Sequence, residues 1–353
     1  MRRFTTHQSV RVSRRGFTMV ELMVVIGILL FLIATSAIVV RNIGNKAREK
    51  ATMATIVKVN SLLTQRIQAF HKTLESGRTQ KLLQSRASGK RSQLVSTTNN
   101  KKYNVLSQPV IEILVRKDLF REQFPQFIGD NTQVNALMGA AAGDDMTGDN
   151  GASISSEYLY YTLTQYDGLG IAPVGEDAFT SSEIRDTDGD GLKEIVDGWG
   201  RPLRFYRWPT RLFRPYQGTS NDPILREVAG TLFSGLPPVP SLPSEPDPLT
   251  VDPDDPLGRI ATENTRTGGL MTGIFNNSAN YFYDSTLAMP CEYAVMSTFS
   301  MPLVVSAGED GILGIHEPSD VPNNGILAQP TSLPVVEGIY DNISNHNQRA
   351  GGR

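Results

Sequence analysis

The sequence predicts an α+β fold in which one long amino-terminal helix, transmembrane in its first half and amphipathic in its second, packs on the small antiparallel sheet of a head. Three observations predict it. Residues 22–40 form a run of nineteen residues without a charge. Apolar side chains then recur at three- and four-residue steps, at Val59, Leu62, Leu63, Ile67, Phe70 and Leu74. Far downstream, short strand-like runs such as "PLRFYRW" and "PLVVSAG" follow glycine- and proline-rich turns.

Residues 1–16, "MRRFTTHQSVRVSRRG", carry Arg2, Arg3, Arg11, Arg14 and Arg15 and no acid. At a rise of about 1.5 Å per residue, the uncharged run behind them reaches about 28 Å, close to the thickness of a bilayer core. The arginines hold the amino terminus in the cytoplasm and send the remainder across. A secretory signal is the rival reading, with "ATSA" at residues 34–37 as its cleavage site, but its apolar centre is shorter. Neither reading explains Glu21 at the mouth of the run, where an unpaired carboxylate costs a few kcal/mol. The first proline is Pro109, so the helix is expected from about Phe17 to about Glu75, with residues 17–40 spanning the membrane.

Composition narrows the function class. The 353 residues carry a net charge of −2, which names no partner. Cys291 is the only cysteine, so an intrachain disulfide and a cysteine-based zinc site are excluded, and a buried inert thiol is expected. The four histidines, His7, His71, His316 and His346, fall in no nucleophile or metal-ligand pattern, which disfavours an enzyme.

"RRGFTMVEL" resembles the type III signal of type IV pilins and type II secretion pseudopilins: a basic leader, glycine, then Phe-Thr-Leu-x-Glu opening an apolar helix. Met19 stands where leucine is commonest. The resemblance implies that a prepilin peptidase cuts after Gly16, the last residue of a 1–16 leader, and methylates the new amino terminus at Phe17. It implies that Glu21 is the assembly residue, pairing with the amino-terminal ammonium of a neighbouring subunit. It also implies an inner-membrane protein with a periplasmic pilin-like head. Its partners would be a homo-oligomeric filament, other pseudopilins, the peptidase, and an assembly platform with its ATPase.

The head, residues 76–353, opens with a basic stretch. Residues 76–111 hold seven Lys or Arg and no acid. Such a stripe suits nucleic acid, but Ser, Gly, Asn and Gln crowd it and only Tyr103 offers a stacking ring, so a solvated, mobile insertion is expected instead. Helical patches follow at "VIEILVRKDLFREQF" and "SSEYLYYTLTQY", the second with a serine start signal. Residues 237–256 contain eight prolines and read as an extended exposed segment. Strands are expected to resume near "EYAVMSTF".

In "RDTDGDGLKEIVDGWG", Asp186, Asp188, Asp190, Glu194 and Asp197 supply oxygens at the first, third, fifth, ninth and twelfth positions of a calcium loop, with Gly191 at the turn. Asp197 replaces the longer glutamate of an EF-hand, and the flanks do not read as helices. Two readings stand, a calcium loop outside the EF-hand fold and an acidic turn whose aspartates cap backbone amides.

Three later segments widen the resemblance. "DGWGRP" is similar to the Asp-x-Trp-Gly-x-Pro turn of the major, G-type pseudopilin, "LVVSAGEDGILG" to its strand followed by Ser-x-Gly-x-Asp-Gly, and "IYDNISN" to its closing segment. That likeness implies a second calcium loop, with Asp310 and Asp341 as ligands, Ser306 nearby, and Glu317 or Asp320 as substitutes in a longer loop. Gly308 and Gly311 building a plain turn is the structural alternative. Two further function classes compete: a minor pilin whose head binds DNA or a surface, and a membrane-anchored hydrolase.

Overall fold

The computed structural model describes residues 18–98, 106–139, 151–209, 228, 231–232, 254–268, 302–320, 328, 330–331 and 335–347. Gly16, Phe17, Cys291, "EYAVMSTF" and most of the proline-rich segment lie outside them. Helix α1 runs Met19–Leu74, close to the expected span. The chain divides into two compact units, Met1–Ala47 and Arg48–Arg353.

In the first unit, Met19–Ser36 has a mean hydropathy of 2.5 and none of it is buried. Glu21 is its only charged residue. A helix that is apolar all round and covered by no protein suits a hydrocarbon solvent. Thr35 keeps its hydroxyl satisfied inside that stretch by donating to the carbonyls of Phe31 and Leu32 at 3.1 and 3.0 Å.

In the second unit, α1 buries Ile56, Val59, Leu63, Phe70 and Leu74, each at most 2% exposed. This is the stripe that the three- and four-residue spacing predicts, with Leu62 and Ile67 half-buried at its edge. Phe70 meets Phe120 edge-on, with ring centroids 5.6 Å apart. Phe120 belongs to α3, Gln108–Gln123, which starts at a proline as its sequence requires. Polar ties add to the stripe: Lys58 to Glu183 at 2.6 Å, Arg66 to the carbonyl of Tyr166 at 3.0 Å, and Asn345 to Asn60 at 2.9 Å.

The basic stretch departs from expectation. It is not a loose insertion in its described part but a helix, α2, Gly77–Thr98. Thr79, Leu83, Ala87 and Lys90 lie at helical spacing and are all buried. Two of its five charges find acids on α3: Arg86 pairs with Glu122 and Lys90 with Asp118, both at 2.8 Å. The exposed pair contributes little, whereas Lys90 is almost wholly buried and needs its carboxylate.

Two short helices follow, α4 at Thr132–Met138 and α5 at Ile154–Thr164. Every residue of α5 is buried. The serines read as a start signal do not cap it. The Ser155 hydroxyl accepts from Phe205 N at 3.1 Å, and the Ser156 hydroxyl both donates to and accepts from the backbone of Ile195 at 2.9 Å. They fasten the helix to strands.

Those strands form two antiparallel sheets, and the helix α6, Arg259–Arg266, falls in the chain between the first and second strands of the larger one. The hairpin of β1, Ile184–Arg185, and β2, Glu194–Ile195, pairs Ile184 with Ile195. The central sheet has the order β3 (Arg204–Tyr206), β4 (Leu303–Ser306), β5 (Ile343–Ser344), with Phe205 opposite Val304 and Val305 opposite Ser344. A half-solvated strand would alternate buried with exposed residues, but β3 and β4 are buried throughout. Phe205, Val304 and Ile343 join the core that includes α1, α3 and α5, whereas Tyr206, Leu303 and Val305 join a second cluster with Val228, Leu232, Leu313 and Ile339. The small sheet on a long helix is therefore present, with an additional apolar layer behind it.

Candidate functional site

At the start of α1, Thr18 and Glu21 cap the helix reciprocally. Glu21 Oε2 accepts from the Thr18 backbone N–H at 2.8 Å and from its hydroxyl at 3.0 Å, while Thr18 Oγ1 accepts from Glu21 N at 3.2 Å. This is the Thr-x-x-Glu capping box, in which two amides that no helix carbonyl can reach are satisfied by side chains. The spacing was readable in "FTMVEL". It gives the carboxylate a local role: the amides and the positive end of the helix hold the negative charge.

In the head, the Gly-Trp-Gly turn, the end of β4 with the turn after it, and the segment around Asp341 come together. Asp197 Oδ1 accepts from Trp199 N at 2.9 Å and Arg201 N at 3.0 Å, and its Oδ2 accepts from the Ser306 hydroxyl at 2.6 Å. Arg201 donates to the carbonyls of Gly308 and Glu309 at 2.7 and 3.2 Å. The turn also docks on α1: Gly198 N donates to Thr52 Oγ1 at 2.8 Å, and a Cβ at Gly198 would collide with the Arg48 backbone. Only glycine allows that approach.

Asp310 N donates to Asp341 Oδ2 at 2.9 Å, while Asp310 Oδ1 accepts from Ile312 N at 2.7 Å. Burial, with the Asp310 charge beside it, pushes the Asp341 carboxyl up. Gly308, at φ 64°, packs its bare Cα against Asp341. Glu317 is taken by Arg204, which meets it through two hydrogen bonds of 3.0 and 2.9 Å. Asp320 lies 3.0 Å from His316 Nδ1. The two substitute carboxylates thus have partners of their own.

The acidic hairpin gathers a different set from the one its spacing suggests. Carboxylate oxygens of Glu157, Asp188, Asp190 and Glu194 all lie within 4.8 Å of one another. Glu157 comes from α5 and was missed, being a single acid inside a tyrosine-rich helix that precedes the loop by twenty-nine residues. Asp186 turns its oxygens inward to Gly189 N at 2.6 Å and Gly191 N at 3.1 Å. Asp197 is outside the group because the Gly-Trp-Gly turn and Ser306 use both of its oxygens. Glu194 is wholly buried, and burial together with Asp188 and Asp186 pushes its carboxyl up to about 8. Burial also raises Asp190.

No curated protein and no solved structure matches this chain. Residues 11–37 match the prokaryotic N-terminal methylation motif, a stretch that contains Gly16, Phe17, Thr18, Glu21 and most of the apolar run. With one helix among the described residues, at the amino terminus, long and apolar enough to cross a membrane, the chain carries the signal of prepilin-peptidase-processed, membrane-anchored, type IV pilin-like proteins.

Proposed function

We propose that this chain is the precursor of a filament subunit of the type II secretion pseudopilus. A prepilin peptidase cuts after Gly16 and methylates Phe17. The chain stands in the inner membrane with its amino terminus in the cytoplasm and its head in the periplasm. A platform protein and its ATPase then extract it, and α1 packs among its copies. Glu21 is the assembly residue, since a carboxylate and an ammonium that are each costly in lipid neutralise one another between neighbours.

One observation carries this reading: the only charge in the apolar, unburied stretch Met19–Ser36 sits inside the methylation motif, five residues after the glycine. The secretion branch draws support from the meeting of the Asp197 turn, the Ser306 strand and the Asp341 segment at one junction. The alternative of a DNA-capturing minor pilin draws little from α2, where Arg86 and Lys90 pair with acids and Arg91 donates to the Leu106 carbonyl at 3.1 Å.

The test is deletion of the chain in the cell that makes it. The expected result is that exported proteins accumulate in the periplasm while surface filaments persist. Normal secretion with loss of surface filaments would overturn the secretion reading.

A further inference from the structure

We infer that Glu157, Asp188, Asp190 and Glu194 bind one calcium ion, which ties the β1–β2 loop to the core helix α5. This site is independent of how the amino terminus is processed, and it differs from the Asp310–Asp341 loop that the family resemblance implies.

Four carboxylate oxygens within 4.8 Å of one another repel unless protons or a cation intervene. Two of the four groups, Glu157 and Glu194, are wholly buried, so water cannot screen them. Glu194 supplies the independent pointer. Its Oε2 accepts from Thr187 N at 2.6 Å, whereas its Oε1 is buried and has no hydrogen-bond partner among the described residues. A buried acceptor left without a donor is costly, and here it belongs to a side chain directed at three other carboxylates.

The donors are all hard oxygens, with no nitrogen or sulfur, which selects calcium or magnesium over transition metals. Calcium–oxygen distances of about 2.3–2.6 Å give a coordination sphere about 4.6–5.2 Å across, wide enough to take every oxygen in the group, whereas magnesium demands a tighter and more regular octahedron. Backbone carbonyls of a loop bent at Gly189 (φ 88°) and Gly191 (φ 93°) can complete the shell. Asp188 is exposed and gives the ion its entry. The ion would join the hairpin to the helix whose Ser155 and Ser156 already hold β3 and β2.

The experiment uses the full chain in mild detergent, first stripped with a chelator, then titrated with calcium chloride by calorimetry and followed by thermal melting, with magnesium chloride as comparator. One calcium per chain is expected, with Tm raised by about 5 °C or more at a hundredfold excess over Kd. Magnesium should bind at least about tenfold more weakly. Asp188→Asn with Asp190→Asn, both on the loop, should abolish binding while leaving the far-UV circular dichroism unchanged, and Glu194→Gln should abolish the melting shift. Asp310→Asn with Asp341→Asn should change neither. No binding in the wild type, binding that survives the Asp188 and Asp190 changes, or binding lost only with Asp310 and Asp341 would each overturn the inference.

Discussion

A chain carrying Glu21→Ala is expected to be inserted and cleaved after Gly16 but to be absent from filaments. Breaking an ion pair in a low-dielectric setting costs about 3–5 kcal/mol, which is about two to nearly four orders of magnitude in each subunit contact. The structure adds a complication that the experiment has to separate. Glu21 also closes the capping box with Thr18, and losing a cap costs about 0.5–2 kcal/mol at the start of α1. Glu21→Gln resolves the two roles, because glutamine can close the same box without charge. If the charge is what matters, both variants are missing from the crosslinked oligomers that the wild type forms in membranes, and both heads melt as the wild type does. Normal assembly of the glutamine variant would make Glu21 a helix cap and remove its assembly role.

The second large effect is on stability. Asp130→Ala is expected to destabilise the head by about 3–5 kcal/mol, a large share of the roughly 5–15 kcal/mol that holds a domain folded. Arg207 is wholly buried and stacks its guanidinium 4.3 Å from the Trp208 ring centroid, with Trp208 in turn stacked on Phe120 at 6.1 Å. Asp130 meets that guanidinium at 2.7 Å and also accepts from Gln126 N at 2.9 Å, fixing the turn after α3. Removing the carboxylate leaves a cation in the core without its counter-charge. Asp130→Asn retains the shape and the backbone acceptor, so it should cost less than alanine. Urea unfolding of the detergent-solubilised chain, followed by tryptophan fluorescence, reads both. Equal midpoints for wild type and Asp130→Ala would show that the pair contributes nothing net.

What the sequence disclosed depended on how far apart the interacting residues lie in the chain. Helix α1 was legible because its signal is local: an absence of proline, an uncharged run, then Val59, Leu63, Phe70 and Leu74 at helical spacing. Helix α2 was not, because its buried stripe is thin and the acids that neutralise it, Asp118 and Glu122, belong to the next helix. The same limit shaped the acidic loop. Its aspartate spacing pointed to a cation, yet Glu157 reaches the loop only once α5 is packed against β2, and Asp197 is drawn away by Ser306 from the far end of the chain. The strand-like run "PLRFYRW" located β3 but could not reveal that both faces are covered, since the second layer is assembled from scattered pieces such as Val228, Leu232 and Leu313. The capping box at Thr18 and Glu21 is local, four consecutive residues of "TMVE", and so is legible in the sequence.

The most direct test of processing and export is the mass of the amino terminus in protein purified from membranes, with and without the prepilin peptidase. The account predicts a chain that begins at N-methylated Phe17 when the enzyme is present and at the unprocessed leader when it is absent. A chain that keeps its leader in both cells, or one cut after the apolar run, would contradict it and leave the helix as a plain anchor or a secretory signal.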